Sequence, residues 1–326
     1  MSSPALSLIF VATEEDATVR STMASLSAQT IRHRIELLIV AQDPARIGVD
    51  ESTTRGFHSI RIVTCGTEAL LGHALALGVR QATAPIVALI EDHCAPEPAW
   101  AQTLLARHGE GHAVVGSEIR NANPGSSLSW ANFVLTHADW AWPARAGLVD
   151  VVAGDNCSYR RDVLMAIGPE LDTLLGSGSV LQRQLRAAGE TVFLEPDAKL
   201  VHITPSRLDS FVGSFFYSGR LYAALASRHW TLRSRWLMAA AAPLIMSRWV
   251  WARLRRVRHV AAGAHTRRIQ LIMLLAVPVS SMGAMLGYLL GPGRSARYTS
   301  DIYFHRNRHL GRLDRDAFAA ARAGQA

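Results

Sequence analysis

The sequence predicts an α/β chain with a Rossmann-like, mostly parallel central sheet flanked by helices, followed by an apolar and basic helical segment that associates with a membrane. Three observations carry this. Short apolar runs alternate with helix-period segments over the first half of the 326 residues. Those runs are apolar throughout, as in strands covered on both faces. From about Ser206 the composition changes to long apolar stretches separated by arginines.

The elements follow in order. Leu6 to Ala12 is a first buried strand, and Asp16 is placed to cap a helix whose Val19, Met23 and Leu26 share one face. Ile35 to Ala41 is a second strand, and Ser59 to Thr64 alternates like a third. Leu71, Leu75 and Val79 mark a second helix, and Ile86 to Glu91 a fourth strand. A helix is expected near Pro98 to His108, a strand near Ala113 to Arg120, and a Gly/Asn/Pro loop at Asn121 to Ser127, with a Trp-rich stretch after it. Val151 to Arg161 reads as a strand turning through Gly154 and Asn156 into a short helix. Leu181 to Ala188 is helical, and Thr191 to Leu194 leads into Glu195 to His202. No internal repeat is present.

A hydrophobic content of 49% is ample for a sizeable core, and disorder is excluded. The formal charge of +8 comes almost wholly from arginine, since Lys199 is the only lysine. Such basicity suits phosphate-bearing partners. Nucleic acid is not expected among them, because the arginines cluster between apolar segments rather than beside exposed stacking aromatics. Cys65, Cys94 and Cys157 have neither disulfide-framework nor zinc-cluster spacing, which fits a reducing compartment. The first residues read as a strand, not a signal peptide.

In the tail, Trp236 to Trp251 and Ile269 to Leu290 are strongly apolar, and the second is long enough to span a bilayer. Two full spans would put the connector with Arg253, Arg255, Arg256, Arg258, Arg267 and Arg268 on the outer side, against the positive-inside tendency. Interfacial or re-entrant helices would instead let every arginine face cytoplasmic headgroups, and this is the favoured arrangement. Buried helices of a soluble domain are the alternative. Gly283 and Gly287 form a GxxxG, more often close packing than a dimer interface. Domains are expected at 1–225 and 226–326.

Glu91, Asp92 and His93 follow the fourth strand directly. Ligands collect outside the carboxyl ends of strands in open α/β sheets, and carboxylate with imidazole is a ligand set for a divalent cation. The competing reading is a polar turn before Pro96 and Pro98.

Taken together, the order of elements, the acidic triplet, the Gly154-Asp155-Asn156 turn with Arg160-Arg161 after it, a helix ending at Gly189 and the Pro196-Asp197-Ala198 to His202 strand resemble glycosyltransferase family 2, with its GT-A fold. The likeness covers about residues 5 to 225. It is nearest to a membrane-associated subgroup with an E-D-H-C motif, here Glu91 to Cys94, and a GYLLGPG ending, here Gly287 to Gly293, which extends it to about residue 310.

The resemblance implies a nucleotide-sugar donor over the first half of the sheet and a lipid-linked or envelope glycan acceptor over the second, at the cytoplasmic face of a membrane. It implies that Glu91 and Asp92 bind donor and that Asp92, His93 and His202 hold a divalent cation against the diphosphate. A His at 93 in place of the usual carboxylate should favour Mn²⁺ over Mg²⁺. Asn156, Arg161 and Tyr217 are expected on the acceptor side.

Two departures stand out. Where many members carry an E-D pair supplying the catalytic base, this chain reads Gly176-Ser177-Gly178-Ser179-Val180. Asp155 is the first candidate to replace that base and Asp172 the second, although Asp155 also suits a turn-former. At the nucleotide end, Thr13, Glu14 and Asp43 stand where the family reads base and ribose, without its usual Pro-containing turn and terminal Asp, so Glu14 and Asp43 read equally as base or ribose contacts and as solvated loop acids. Loss of the base would also fit a non-catalytic sugar-nucleotide or glycan-binding subunit.

Overall fold

The structure, a computed structural model, describes residues 3–12, 17–47, 54–261, 265–312 and 314. Thr13, Glu14 and the expected helix cap Asp16 lie outside the described residues. Two compact units are present, one taking in Met1–Arg120 and Trp142–His202, the other Asn121–Ala141 and Ile203–Ala317. The helix Leu208–Ala226 groups with the second unit.

In the first unit, the described residues form one sheet of nine strands: β1 Leu6–Ala12, β2 Ile35–Ala41, β3 Ser59–Thr64, β4 Ile86–Ile90, β5 Cys94–Pro96, β6 Val114–Asn121, β7 Gly147–Leu148, β8 Cys157–Arg160 and β9 Val192–His202. Their order is β3-β2-β1-β4-β8-β6-β9-β5, with β7 on β9. β1 to β4 are mutually parallel, and β8 runs against both β4 and β6, so β6 shares the direction of β1 to β4. The sheet is mixed but mostly parallel, as predicted.

Every residue of β1, β2 and β4 is buried, which is why these strands are apolar without alternation apart from Ser7 and Glu36 near their amino ends. Each fully buried Leu, Ile or Phe contributes about 1.5–3 kcal/mol. β3 is an edge strand and partly exposed, which accounts for its alternation. The helix Ala17–Ser27 buries Val19, Met23 and Leu26 as its spacing predicts. The helix Leu71–Gln81 lies so close to the sheet at Gly78 that a Cβ there would stand 2.7 Å from Cγ2 of Ile9. One expectation is corrected: residues 151–156 form no strand, and β8 begins only at Cys157, after the turn.

Near the amino ends of β1 and β2, Glu36 is buried yet keeps its charge. Burial alone would raise its pKa, but Ser7, Arg61 and the Thr83 amide and hydroxyl all donate to it, and the balance falls below the ordinary value. It is a structural acid at the other end of these strands from Glu91.

The second unit is helical, with Ser127–His137, Leu208–Ala226, Leu232–Leu254, Thr266–Leu274, Ala276–Leu290 and Ser295–Phe304 as its larger helices. Phe211, Phe215, Val250, Ile269 and Met273 form a core with Ala131, Val134 and Leu135. A second cluster is built from Ala223, Ala239, Ala242, Ala284 and Tyr288. Gly283 and Gly287 pack on the helix Leu208–Ala226, where Cβ atoms would stand 2.1 Å from the Phe216 carbonyl and 2.3 Å from that of Arg220. The GxxxG is thus used within the chain.

Several large apolar side chains of this unit face outward. Trp236, Leu237, Leu244, Trp251, Leu271 and Met282 are exposed, Leu244 and Leu271 each at 67%. A water-facing helix shows the reverse. The helical stretch Thr266–Leu290, 25 residues, which joins two of these helices across Leu275, is the one among the described residues long and apolar enough to cross a membrane by length and composition. At ~1.5 Å per residue it exceeds the ~30 Å hydrocarbon thickness.

The expectation that every connector arginine faces headgroups does not hold. Arg253 donates to the Leu135 carbonyl at 2.9 Å and pairs with Asp139, and Arg256 binds the Ala138 carbonyl and Asp139, each at 2.8 Å. These two close the carboxyl end of the helix Ser127–His137, where the last carbonyls lack intrahelical donors. Arg255 lies 3.3 Å from the centre of the Trp251 ring.

Candidate functional site

The site is assembled by strand register. Leu6 to Phe10 pair with Ile86 to Ile90, and Ala12 pairs with Ala41, so the carboxyl ends of β1, β2 and β4 lie side by side. Glu91 leaves β4 at that edge. The chain then turns into β5, whose Cys94 pairs with His202, the last residue of β9. Thr22 on the first helix holds the turn by donating to the Cys94 carbonyl at 2.7 Å.

Four side chains converge there. Nε2 of His93 lies 2.9 Å from Nε2 of His202, with the rings edge-on at 74°. Oε2 of Glu91 is 3.2 Å from Nε2 of His202, and Oε1 is 3.6 Å from Nε2 of His93. Donor atoms of Glu91, His93, Cys94 and His202 all lie within 4.8 Å of one another, and all four residues are buried. Asn156 completes the cradle: its Nδ2 donates to Oε2 of Glu91 at 2.6 Å, and its Oδ1 accepts the Glu91 amide at 3.3 Å.

This donor set fits a divalent cation. The two imidazole nitrogens face each other at hydrogen-bond distance, 2.9 Å, and a set of nitrogen, oxygen and sulfur donors suits a first-row metal better than Mg²⁺. Cys94 closes the E-D-H-C motif but is not among the ligands expected from the sequence. Only its register opposite His202 brings it in, and a three-residue strand ending in Pro96 leaves no periodic signal.

The other expected residues fall differently. Asp92 contacts the far nitrogen of His93, Oδ1 to Nδ1 at 3.0 Å, and is not one of the four converging groups. Asp43 follows β2 at the same sheet edge, where its carboxylate accepts the Ala45 amide at 3.0 Å and caps a short turn. Asn156 joins Glu91 rather than standing apart on an acceptor surface.

Arg161 does not join the group. Its amide bonds to Pro85 at the amino end of β4, and its guanidinium binds the Val79 and Arg80 carbonyls at 3.1 and 3.2 Å, closing the carboxyl end of a helix. Tyr217 is stacked on Tyr298 at 4.2 Å within the second unit.

For the base, Asp172 is engaged elsewhere. Burial would raise its pKa, but His73 at 2.8 Å and Arg80 bring it below the usual range, which makes it a poorer proton acceptor. Asp155 is half-buried beside Asn156. Its turn lies against the segment that lacks the family's acidic pair, since a Cβ on Gly154 would stand 2.8 Å from Cα of Gly178. Gln182, on the helix Gly178–Ala187, accepts the Val152 amide at 2.7 Å and donates to the Tyr159 hydroxyl at 3.0 Å, fixing the approach to that turn.

With the geometry in place, comparison with known proteins is decisive for the family. The profile described as "Glycosyltransferase like family 2" matches residues 4–214. The chain belongs to glycosyltransferase family 2. Among solved structures, this family 2 glycosyltransferase is similar to the mannosyltransferase PcManGT from Pyrobaculum calidifontis, in complex with GDP-Man and Mn²⁺. The TM-score is 0.53 at 19% identity, covering 91% of this chain and 88% of that one. That likeness is one of fold, and the fold is GT-A. No match is found among curated proteins.

Proposed function

We propose that this family 2 glycosyltransferase moves a sugar, with inversion, from a nucleotide-sugar donor to a lipid-linked or cell-envelope glycan acceptor at the cytoplasmic face of a membrane. The observation that carries the reading is the convergence of Glu91, His93, Cys94 and His202 at the carboxyl edge of the sheet. Nucleotide and metal in the PcManGT structure lend it support. The outward apolar side chains of Leu232–Leu254 and Thr266–Leu290 support membrane contact.

Glu91, His93 and His202 hold the cation, Mn²⁺ or Mg²⁺, with Cys94 within reach. When bound, the ion neutralises charge gathering on the departing diphosphate without a proton being supplied. Asn156 keeps the Glu91 carboxylate aimed inward. Asp43, which follows β2 at the same sheet edge, is assigned to the nucleotide side, and the sequence resemblance assigns Thr13 and Glu14 to the same role. Asp155 takes the proton of the acceptor hydroxyl as it attacks the anomeric carbon.

The segment Gly176–Val180 supports the second reading, a sugar-nucleotide-binding subunit without turnover. One experiment separates the two: detergent-solubilised protein is given Mn²⁺ and a panel of nucleotide sugars, and nucleotide release is followed with and without membrane extract. Extract-dependent release from one donor is expected. Donor binding without release from any of them would overturn the transferase reading.

A further inference from the structure

Asp92 stands out because it touches the cluster at one remove. It is 3% exposed and His93 2%, and Oδ1 of Asp92 lies 3.0 Å from Nδ1 of His93. The opposite nitrogen, Nε2, is the one that meets His202 and Glu91. A neutral imidazole carries its proton on one nitrogen only, and of the two carboxylates flanking this ring Asp92, 3.0 Å from Nδ1, is within hydrogen-bond distance whereas Glu91, 3.6 Å from Nε2, is not.

We infer that Asp92 is a positioning residue, whose carboxylate holds the proton of His93 on Nδ1 and so presents Nε2 as the lone-pair nitrogen of the cation site. The inference rests on the cation-binding reading above and alters its division of roles. Glu91, His93 and His202 make the contacts, and Asp92 acts through His93. Carboxylate partners of ligating histidines fix the tautomer and ring orientation and raise the basicity of the ligand, and their loss typically lowers metal affinity about 10–100-fold. Direct ligation by Asp92 would need its carboxylate to leave Nδ1 of His93. The Nδ1 proton would then lack its buried acceptor.

The test uses the full chain in detergent, as wild type, Asp92→Asn, Asp92→Ala and Asp92→Glu, with circular dichroism and melting to establish that each is folded. In metal-free buffer, long-range ¹H–¹⁵N spectra report the His93 tautomer. Mn²⁺ titrations followed by electron paramagnetic resonance report affinity, and the pulsed form reports coordinated imidazole nitrogens. The Nδ1–H form is expected in wild type and a mixture in Asp92→Asn and Asp92→Ala. Both variants should bind Mn²⁺ about 10–100-fold more weakly with two imidazole couplings retained, and Asp92→Glu should recover part of the loss.

An unchanged tautomer in Asp92→Ala overturns the inference. So does complete loss of Mn²⁺ binding in Asp92→Asn, which would make Asp92 a ligand itself. If wild type binds no Mn²⁺, the cation-binding reading falls, while the tautomer still decides whether Asp92 sets the proton of His93.

Discussion

The Nε2 atoms of His93 and His202 stand 2.9 Å apart although the residues are separated by 109 positions in the chain. One follows the end of β4 and the other closes β9, and the pairing of Cys94 with His202 is what brings them together. Replacing His202 with Ala should therefore weaken Mn²⁺ binding by roughly 100-fold or more, since a ligand is worth at least as much as its supporting residues. Mn²⁺ titration of the variant, alongside Mn²⁺-dependent nucleotide release, checks this, and unchanged affinity would remove His202 from the site.

Asp155→Asn should leave donor binding intact and lower turnover by about 10²–10⁴-fold, the usual contribution of a positioned base. Equilibrium binding of the nucleotide sugar and steady-state release separate the two effects. Retention of most turnover would return the residue to the role of turn-former.

Gly154 and Gly178 are in backbone contact, and a side chain on either has no room. Gly154→Ala is expected to cost about 1–3 kcal/mol through overpacking, read as a lower melting temperature. Because the same turn carries Asp155 and Asn156, turnover should fall further than stability alone explains.

His108 gives a pH signature in the first unit. Burial pushes its pKa down to about 4, with Nδ1 donating to the His112 carbonyl and Nε2 accepting from Ser158, each at 2.8 Å. The unfolded chain takes up this proton nearer pH 6.5. The contribution is thus complete above that pH and is lost as pH falls from about 6.5 towards 4, at most ~3 kcal/mol in total. Melting temperatures across that window should fall more steeply in wild type than in His108→Gln.

The strands that build the sheet were legible because burial on both faces favours apolar runs without alternation, as in residues 8–12 and 37–41. Glu91 and His93 were legible because they end such a run. Motif proximity misled at Arg161, five residues after Asn156 in sequence but at the opposite end of β4, since β8 runs antiparallel to β4 and carries the chain away from the site. Cys94 was hidden for a related reason. A register set across a long interval, by β9, decides its neighbours, and nothing local to Cys94 announces it.

Gly283 offers a check on the second unit. Gly283→Val would drive a branched side chain into the Phe216 carbonyl, an overpacking cost of about 1–3 kcal/mol or more. Loss of folded yield in detergent is expected, with Gly283→Ala milder, and a variant as stable as wild type would show that the two helices separate freely.

The helix Leu208–Ala226 also bears on how the enzyme can be shortened. The family match stops at residue 214, inside that helix. Phe211 and Phe215 lie against Ile269 and Met273, and the next turns lie against Gly283 and Gly287. A fragment ended at 214 or 225 to obtain a water-soluble catalyst would keep one half of this packing and discard the other, adding a newly bared hydrophobic face to the apolar side chains already exposed. A soluble version is better sought by recolouring Leu237, Leu244 and Leu271 with polar residues, leaving the tail in place.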